Sequence, residues 1–407
     1  MTDYNKIRRF CEQESRLTAE VLDNFLLYYA GEKEKLPKEF ISLLMRFRHA
    51  IGGMPSGWIP SITSQFIAHR LFKSGGLIKK YLNHVTVKNL DPKQYTFLQL
   101  LSDTPWRFSF SEIRSQPAPD FYEMEDVFTG ERFLLFSKGI GQILAEHKVL
   151  LWFNLVGFNG HCWQTYGPIG NFQSFDADDV FFYATELDRS ITSEATLFNY
   201  LEKNPVPFMM LMTGASYPLI MNNGYEVVQV CGESPLKTIN ISELQKKFTV
   251  EHAHGVTRIS HLQWSDPPHL AEAYYEEKSE TISLTALTDS GYKNMAGLLK
   301  EFAPDLPAEP DVRVHLPMIT FIKDVLKKDI TLTPHAHLFE KTPEPADAEM
   351  MDNLNVALQM ALPYVNSGVA PDLDAIAKKT GLPVDTVADL LQHVMGKVEK
   401  LKKKGRK

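Results

Sequence analysis

LLWFNLVGFNGHCWQTYG, residues 150–167, sets two runs of aromatic and branched residues either side of Asn159-Gly160. Asn-Gly is the pair that best supplies the two positive φ angles of a type I′ turn, so the stretch predicts a tight β-hairpin. Upstream, PAPDFYEMEDVFTGERFLLFS (117–137) repeats the device around Thr129-Gly130. Downstream, PLIMNNGYEVVQVCG (218–232) repeats it at Asn223-Gly224. Three hairpin signals in close succession predict a β-rich centre, with residues 117 to about 185 closing as a small barrel or a curled sheet.

Outward from this centre the periodicity changes. Residues 1 to about 110 read as helical. LTAEVLDNFLLYYAG (17–31) places Val21, Leu22, Phe25, Leu26 and Tyr29 on one face, with Gly31 as its expected stop. LPKEFISLLMRFRHAIGG (36–53) and ITSQFIAHRLFKSGG (62–76) continue the pattern. DPKQYTFLQLLSD (91–103) has Asp91 to cap a helix and Pro92 at its first position. Beyond the centre, ETISLTALTDSGYKNMAGLLKEF (280–302) reads as a strand and then a helix capped by Asp289 or Ser290. KTPEPADAE (341–349) reads as a linker.

A hydrophobic fraction of 44% and a charged fraction of 23% belong to a folded globular chain. Cys11, Cys162 and Cys231 are an odd number and widely spaced, which excludes a disulfide framework and a four-thiolate zinc site and fits a reducing compartment. The polar start MTDYNKIRRF lacks the apolar core of a secretory signal. The most apolar runs, 149–158 and 207–212, fall well short of the ~20 residues that cross a bilayer. A cytoplasmic protein with no membrane association is expected.

Catalytic signatures are weak. GASYP (214–218) starts like a nucleophile elbow, but Pro218 stands where that turn requires a small residue. His-Ala-His occurs at His252/His254 and at His335/His337. In a strand each pair would share a face and offer two ligands to a metal, but a third ligand is not fixed by the sequence. DADD (176–179) offers carboxylates to a divalent cation and reads more simply as a solvated loop. GIG (139–141) lacks the third glycine of a dinucleotide fingerprint, and no phosphate-binding loop is present. Aromatics crowd residues 150–180 without one Lys or Arg among them, which points to core packing rather than base stacking. No cofactor is expected.

LDAIAKKTGLPVDTVADLL (373–391) spaces Ala377, Gly381, Val387 and Leu390 as two short helices hinged on a glycine. Over about 346–401 the chain resembles a three-helix helix-turn-helix domain. In its DNA-reading relatives the start of the second helix meets base edges. Here that start carries Pro383, Val384, Asp385, Ala388 and Asp389, with Gln392 the first amide, so carboxylates would face phosphates. From Gly396 onward seven basic residues stand against one acid, so a chain of net charge −7 has a body at −13 before that tail.

FYEMEDVFTGERFLLF (121–136), LLWFNLVGFNG and ISLTALTDSGYKNMAGLLKE are similar in order and spacing to a group of uncharacterised bacterial proteins. Some of that group carry a SecA-type zinc-binding motif, which three scattered cysteines cannot form here. The resemblance implies a bacterial origin and brings no reaction.

The expected architecture is therefore α+β and multi-domain. Residues 1–115 form a helical region, 116–204 a β-rich domain, 205–340 an α+β region, 341–349 a linker and 350–407 a helix-turn-helix-like module with a basic tail. The expected function is non-enzymatic binding of a protein partner. Asp385, Asp389 and Gln392 form its recognition face, and Lys402, Lys403, Lys404 and Arg406 add electrostatic contacts. The alternatives are a nucleic-acid-associated regulator using the same module, and a metal-dependent enzyme using His252, His254, His335 and His337.

Overall fold

The computed structural model describes residues 3–52, 57–333, 335–339, 353–354, 356–357, 360 and 371–388. The chain divides into two compact units, Met1–His335 and Ala336–Lys407. The class is α+β, and its centre is a closed five-stranded barrel. Among the described residues no helix is long and apolar enough to cross a membrane.

The first unit opens with α1 (Tyr4–Leu17), a π-helical stretch Thr18–Leu26, α2 (Leu27–Glu34) and α3 (Leu36–Leu44). It continues with α4 (Trp58–Phe72), α5 (Ile78–Leu82), α6 (Val85–Lys88) and α7 (Pro92–Asp103). The helix containing Gly31 runs past it and stops at Lys35, which adopts a left-handed φ of 58°. Gly31 is buried within helical backbone, so composition alone misplaced that end. Asp91 caps α7 by accepting from Lys93 N at 2.9 Å, as the sequence predicts.

The barrel strands are β1 (Arg107–Ala118), β2 (Phe121–Asp126), β3 (Arg132–Phe136), β4 (Leu151–Phe158) and β5 (Trp163–Phe172), with α8 (Lys138–Leu144) between β3 and β4. Their order is β1-β2-β3-β5-β4, and β1 closes the ring against β4. Alternation sorts the side chains between two faces. Tyr122, Met124, Phe133, Leu135, Trp152 and Val156 make one small core. Phe108, Phe110, Leu151, Phe153 and Leu155 belong to the large core shared with the helices. Phe110 stacks on Phe153 with ring centroids 4.4 Å apart.

Two details of the centre differ from expectation. Strand β1 begins at Arg107, inside the stretch read as helical. The Asn159-Gly160 turn is not type I′, because only Gly160 has a positive φ. Asn159 instead accepts from His161 N and Cys162 N through its side-chain Oδ1, at 3.0 and 2.9 Å, folding the chain back without left-handed backbone of its own. Asn223 and Gly224, with φ of 49° and 86°, do form the predicted tight turn between β6 (Met221–Asn222) and β7 (Tyr225–Glu226).

Helices α9 (Ala177–Leu187), α10 (Glu194–Lys203) and α11 (Pro205–Met210) follow the barrel. Then comes a six-stranded antiparallel sheet in the order β13-β8-β12-β11-β10-β9. Its strands are β8 (Val228–Pro235), β9 (Thr249–Ala253), β10 (Val256–Ser260), β11 (Glu272–Glu276), β12 (Thr281–Ala286) and β13 (Val312–His315), with the short helix α12 (Ile241–Leu244) between β8 and β9. Helix α13 (Asp289–Leu299) is capped by Thr288, one residue before the predicted cap, and packs Tyr292, Met295 and Leu299 into the core of this sheet. Helix α14 (Leu316–Leu326) leaves β13 directly and returns Met318, Phe321 and Ile322 to the large core.

Of the three cysteines, two are brought together. Cys11 of α1 and Cys162 at the end of the β4–β5 turn are both fully buried, with their sulfurs 3.4 Å apart. Spacing along the chain excludes a framework of several bridges, and it hides this single pair.

In the second unit, Asp372 caps the helix Leu373–Thr380 by accepting from Ala375 N at 3.0 Å. Gly381 takes φ 69°, and helical backbone resumes at residues 384–388. Ala357, Ile376, Ala377, Leu382 and Val387 form its buried cluster.

Candidate functional sites

DADD is the start of α9 rather than a solvated loop. Asp176 is the cap and accepts from Asp179 N at 3.1 Å, while Asp179 Oδ2 accepts from Asp176 N at 2.9 Å. This reciprocal box satisfies two amides that helical bonding leaves free. It also turns Asp179 into the interior, where its side chain is 0% exposed. There it meets the end of β13. His315 donates its backbone N–H to Asp179 Oδ1 at 2.7 Å, and its ring Nδ1 lies 2.8 Å from Oδ2.

Arg313 lies two residues earlier on the same face of β13. Its guanidinium donates to Asp176 Oδ2 at 2.8 Å, to Asp289 Oδ1 at 3.2 Å and to Glu226 Oε2 at 3.3 Å. One cation thus ties together α9, α13 and β7. Burial pushes the Asp179 carboxyl up to about 6, against the opposing pull of its bond to His315. Burial also depresses His315, but its bond to Asp179 and the negative charges of Asp179 and Asp176 raise it above the ordinary imidazole range.

The far ring nitrogen of His315, Nε2, is buried without a hydrogen-bond partner, and Glu226 Oε2 is 3.7 Å away. An Asp–His pair can activate a hydroxyl or thiol placed at that nitrogen. Among the described residues the group that faces this nitrogen is the Glu226 carboxylate. Asp176, Asp179 and His315 are, among the described residues, the one group whose ligand atoms could together hold a metal ion, all within 4.8 Å of one another. Arg313 already neutralises Asp176, and the His315 ring already uses Asp179. A cation would have to displace both, so the cluster acts as an electrostatic clasp. A depression of about 190 Å³ beside it is lined by Asp178, Phe181, Asp311 and Arg313.

The histidine pairs lie elsewhere. His252 is exposed on β9, with Nδ1 3.2 Å from Thr257 Oγ1. His254 is exposed in the β9–β10 turn at φ 52°, so the two do not share a strand face. The ring of His335 lies 6.1 Å from that of Tyr274. His337 is in the short turn Ala336–Leu338. Asp385 is exposed at the start of the helical backbone after Gly381, next to Val384, which keeps 40% of its surface in solvent. Asp389, Gln392, Lys402, Lys403, Lys404 and Arg406 lie outside the described residues.

Sequence reading missed three pairings because each joins residues far apart in the chain. They are Asp179 with His315, Cys11 with Cys162, and buried His69 with Glu202, whose Nε2 and Oε2 are 2.9 Å apart. Only the first left a local trace. An Asp three residues before another, ahead of the apolar run VFFYA, is the pattern of a capping box. The chain matches no known family, no curated protein and no solved structure.

Proposed function

We propose that this protein is a non-enzymatic binding protein, an adaptor that engages a protein partner through a helix-turn-helix-like C-terminal module. The observation that carries this reading is the pair Val384 and Asp385, both exposed where the backbone turns helical after Gly381. A DNA reader presents bases or amides there, since each carboxylate adds repulsion to the phosphate ladder. An exposed valine beside an acid suits a protein surface with an apolar centre and a basic rim. By their spacing in the sequence, Asp389 and Gln392 belong to the proposed recognition set, and the resemblance of residues 121–136 and of later segments to uncharacterised bacterial proteins supports a bacterial cytoplasm as its setting.

A nucleic-acid-associated regulator is the second reading, favoured by the reversal of charge after Gly396. The two separate in a fluorescence anisotropy titration of duplex DNA with the full chain and with a chain ending before Gly396, at low and moderate salt. The adaptor reading expects at most weak binding that salt abolishes and that disappears with Lys402, Lys403, Lys404 and Arg406. Salt-resistant binding by the truncated chain would establish the regulator instead. Stoichiometric metal in the purified protein, lost on replacing His252 or His335, would favour the enzyme reading that uses the His-Ala-His pairs.

A further inference from the structure

Helix α1 covers the end of the barrel where β2 and β3 begin and end. Tyr4, Ile7 and Cys11 pack there with Phe121, Phe136 and Cys162. Within this patch the two thiols, 151 positions apart in sequence, stand with sulfurs 3.4 Å apart and no other side chain between them. Asn159 is the third member. Its Oδ1 is committed to the amides of His161 and Cys162, which fixes the flip of the side chain. Its Nδ2 therefore faces the sulfurs, 3.3 Å from Cys11 and 3.9 Å from Cys162, and also donates to Gln164 Oε1 at 2.7 Å. Gln164 in turn donates to the Cys11 carbonyl and to Ser15 Oγ, both at 3.3 Å. It borders a depression of about 440 Å³ lined also by Ser15, Phe136 and Thr165, one side chain away from the thiols.

We propose that Cys11 and Cys162 are a peroxide-oxidised dithiol pair, closing to a disulfide that ties α1 to the barrel. The oxidant is hydrogen peroxide. Cys11, as thiolate, attacks one peroxide oxygen. The O–O bond breaks, and the departing hydroxide takes up the thiol proton as water, leaving Cys11 as the sulfenic acid. Cys162 sulfur then attacks the Cys11 sulfur. The S–O bond breaks, the Cys162 proton joins the leaving hydroxyl, and a second water departs. The two thiols lose two electrons and the peroxide gains them.

The environment divides the roles. The bonds from Cys162 and Asn159 hold the Cys11 thiol below its ordinary range in spite of burial. The bond to Cys11, and then burial, push Cys162 well above its own. Asn159 Nδ2 also stands nearer Cys11 than Cys162, at 3.3 against 3.9 Å, so its N–H favours a thiolate on Cys11 and leaves Cys162 as the resolving partner. Cys231, on β8, has no neighbouring thiol, and burial pushes it up to about 11. It serves as the internal comparison.

The test treats the full chain with hydrogen peroxide, digests it with trypsin without reduction and maps linked peptides by mass spectrometry. The expected result is loss of two hydrogens from the intact mass, with the Cys11 peptide joined to the Cys162 peptide and both released by a dithiol reductant. Cys11→Ser and Cys162→Ser each abolish the link, and Cys231→Ser leaves it intact. Gain of oxygen at Cys11 without a link, a link through Cys231, or oxidation of Cys231 ahead of the pair would each overturn the proposal. The map of the unsubstituted chain decides the matter even where a serine variant fails to fold.

Discussion

Asp179 receives both the backbone N–H and the ring Nδ1 of His315, at 2.7 and 2.8 Å, across 136 positions of sequence. The same carboxylate accepts from Asp176 N. Both of its oxygens are therefore occupied by donors, and an amide has only one acceptor oxygen. Asp179→Asn turns an NH2 group toward a donor and removes the carboxylate nearest the buried His315 ring, leaving Asp176 and Glu226, each 3.7 Å away. The expected loss is roughly 3–5 kcal/mol in urea unfolding, the range for breaking one side of a buried pair. A loss under about 1 kcal/mol would show that the clasp contributes little beyond its packing.

Glu14 faces inward from α1, 6% exposed, with one carboxyl oxygen unpartnered. Burial pushes it up to about 7. A carboxyl raised in the folded state holds its proton more tightly there than in the unfolded chain. Its contribution is intact at pH 4 and is lost as pH climbs from the ordinary carboxyl range through 7. Glu14→Gln removes that penalty. Relative to the variant, the unsubstituted chain should lose roughly 3 kcal/mol between pH 4 and pH 8, at 1.36 kcal/mol per pKa unit. Thermal melts across that range read the gap directly, and parallel curves for the two proteins would refute the assignment.

Gly157 on β4 lies under the indole of Trp106, which is 4% exposed and stacks on Phe72 with ring centroids 4.6 Å apart. A methyl group at Gly157 would overlap the indole ring. Gly157→Ala should cost roughly 1–3 kcal/mol, the usual range for overpacking a filled site. It should also shift tryptophan fluorescence. An unchanged spectrum together with an unchanged melting temperature would mean the ring moves freely aside.

Gly381 ends the helix Leu373–Thr380 at φ 69°, in open space. Gly381→Ala therefore tests backbone strain alone, which for an L-residue is roughly 1–2 kcal/mol. Amide protection of Ile376 and Ala377 should fall about tenfold by hydrogen exchange, with no change at barrel strands β1 and β4. Equal protection in the two proteins would place the helix stop elsewhere.

What the sequence revealed was local. The β2–β3 and β6–β7 turns, the cap at Asp91 and the passage from β12 into α13 each rest on residues within a few positions of one another. Gly31 misled because burial inside the helical region overrode its stop signal. Strand β1 was hidden because only Thr104-Pro105-Trp106 separate it from α7, so the change of period falls within three residues. The clasp and the thiol pair depend on contacts across 136 and 151 positions, and nothing in the immediate neighbourhood of His315 or Cys11 encodes its partner. The barrel closure was legible as a class because hairpins with one aromatic face leave few other ways to bury it.

The order of the six-stranded sheet also sets a schedule for synthesis. β8 sits between β12 and β13, pairing Cys231 with Thr285 on one side and with Val312 on the other. A ribosome adding roughly 5–20 residues per second completes β8 several seconds before it delivers either neighbour. Through that interval a strand rich in valine emerges with both hydrogen-bonding edges open. The nascent chain is most vulnerable to pairing with another copy at that stage, and β13, the last strand to arrive, is the one that closes the exposed edge.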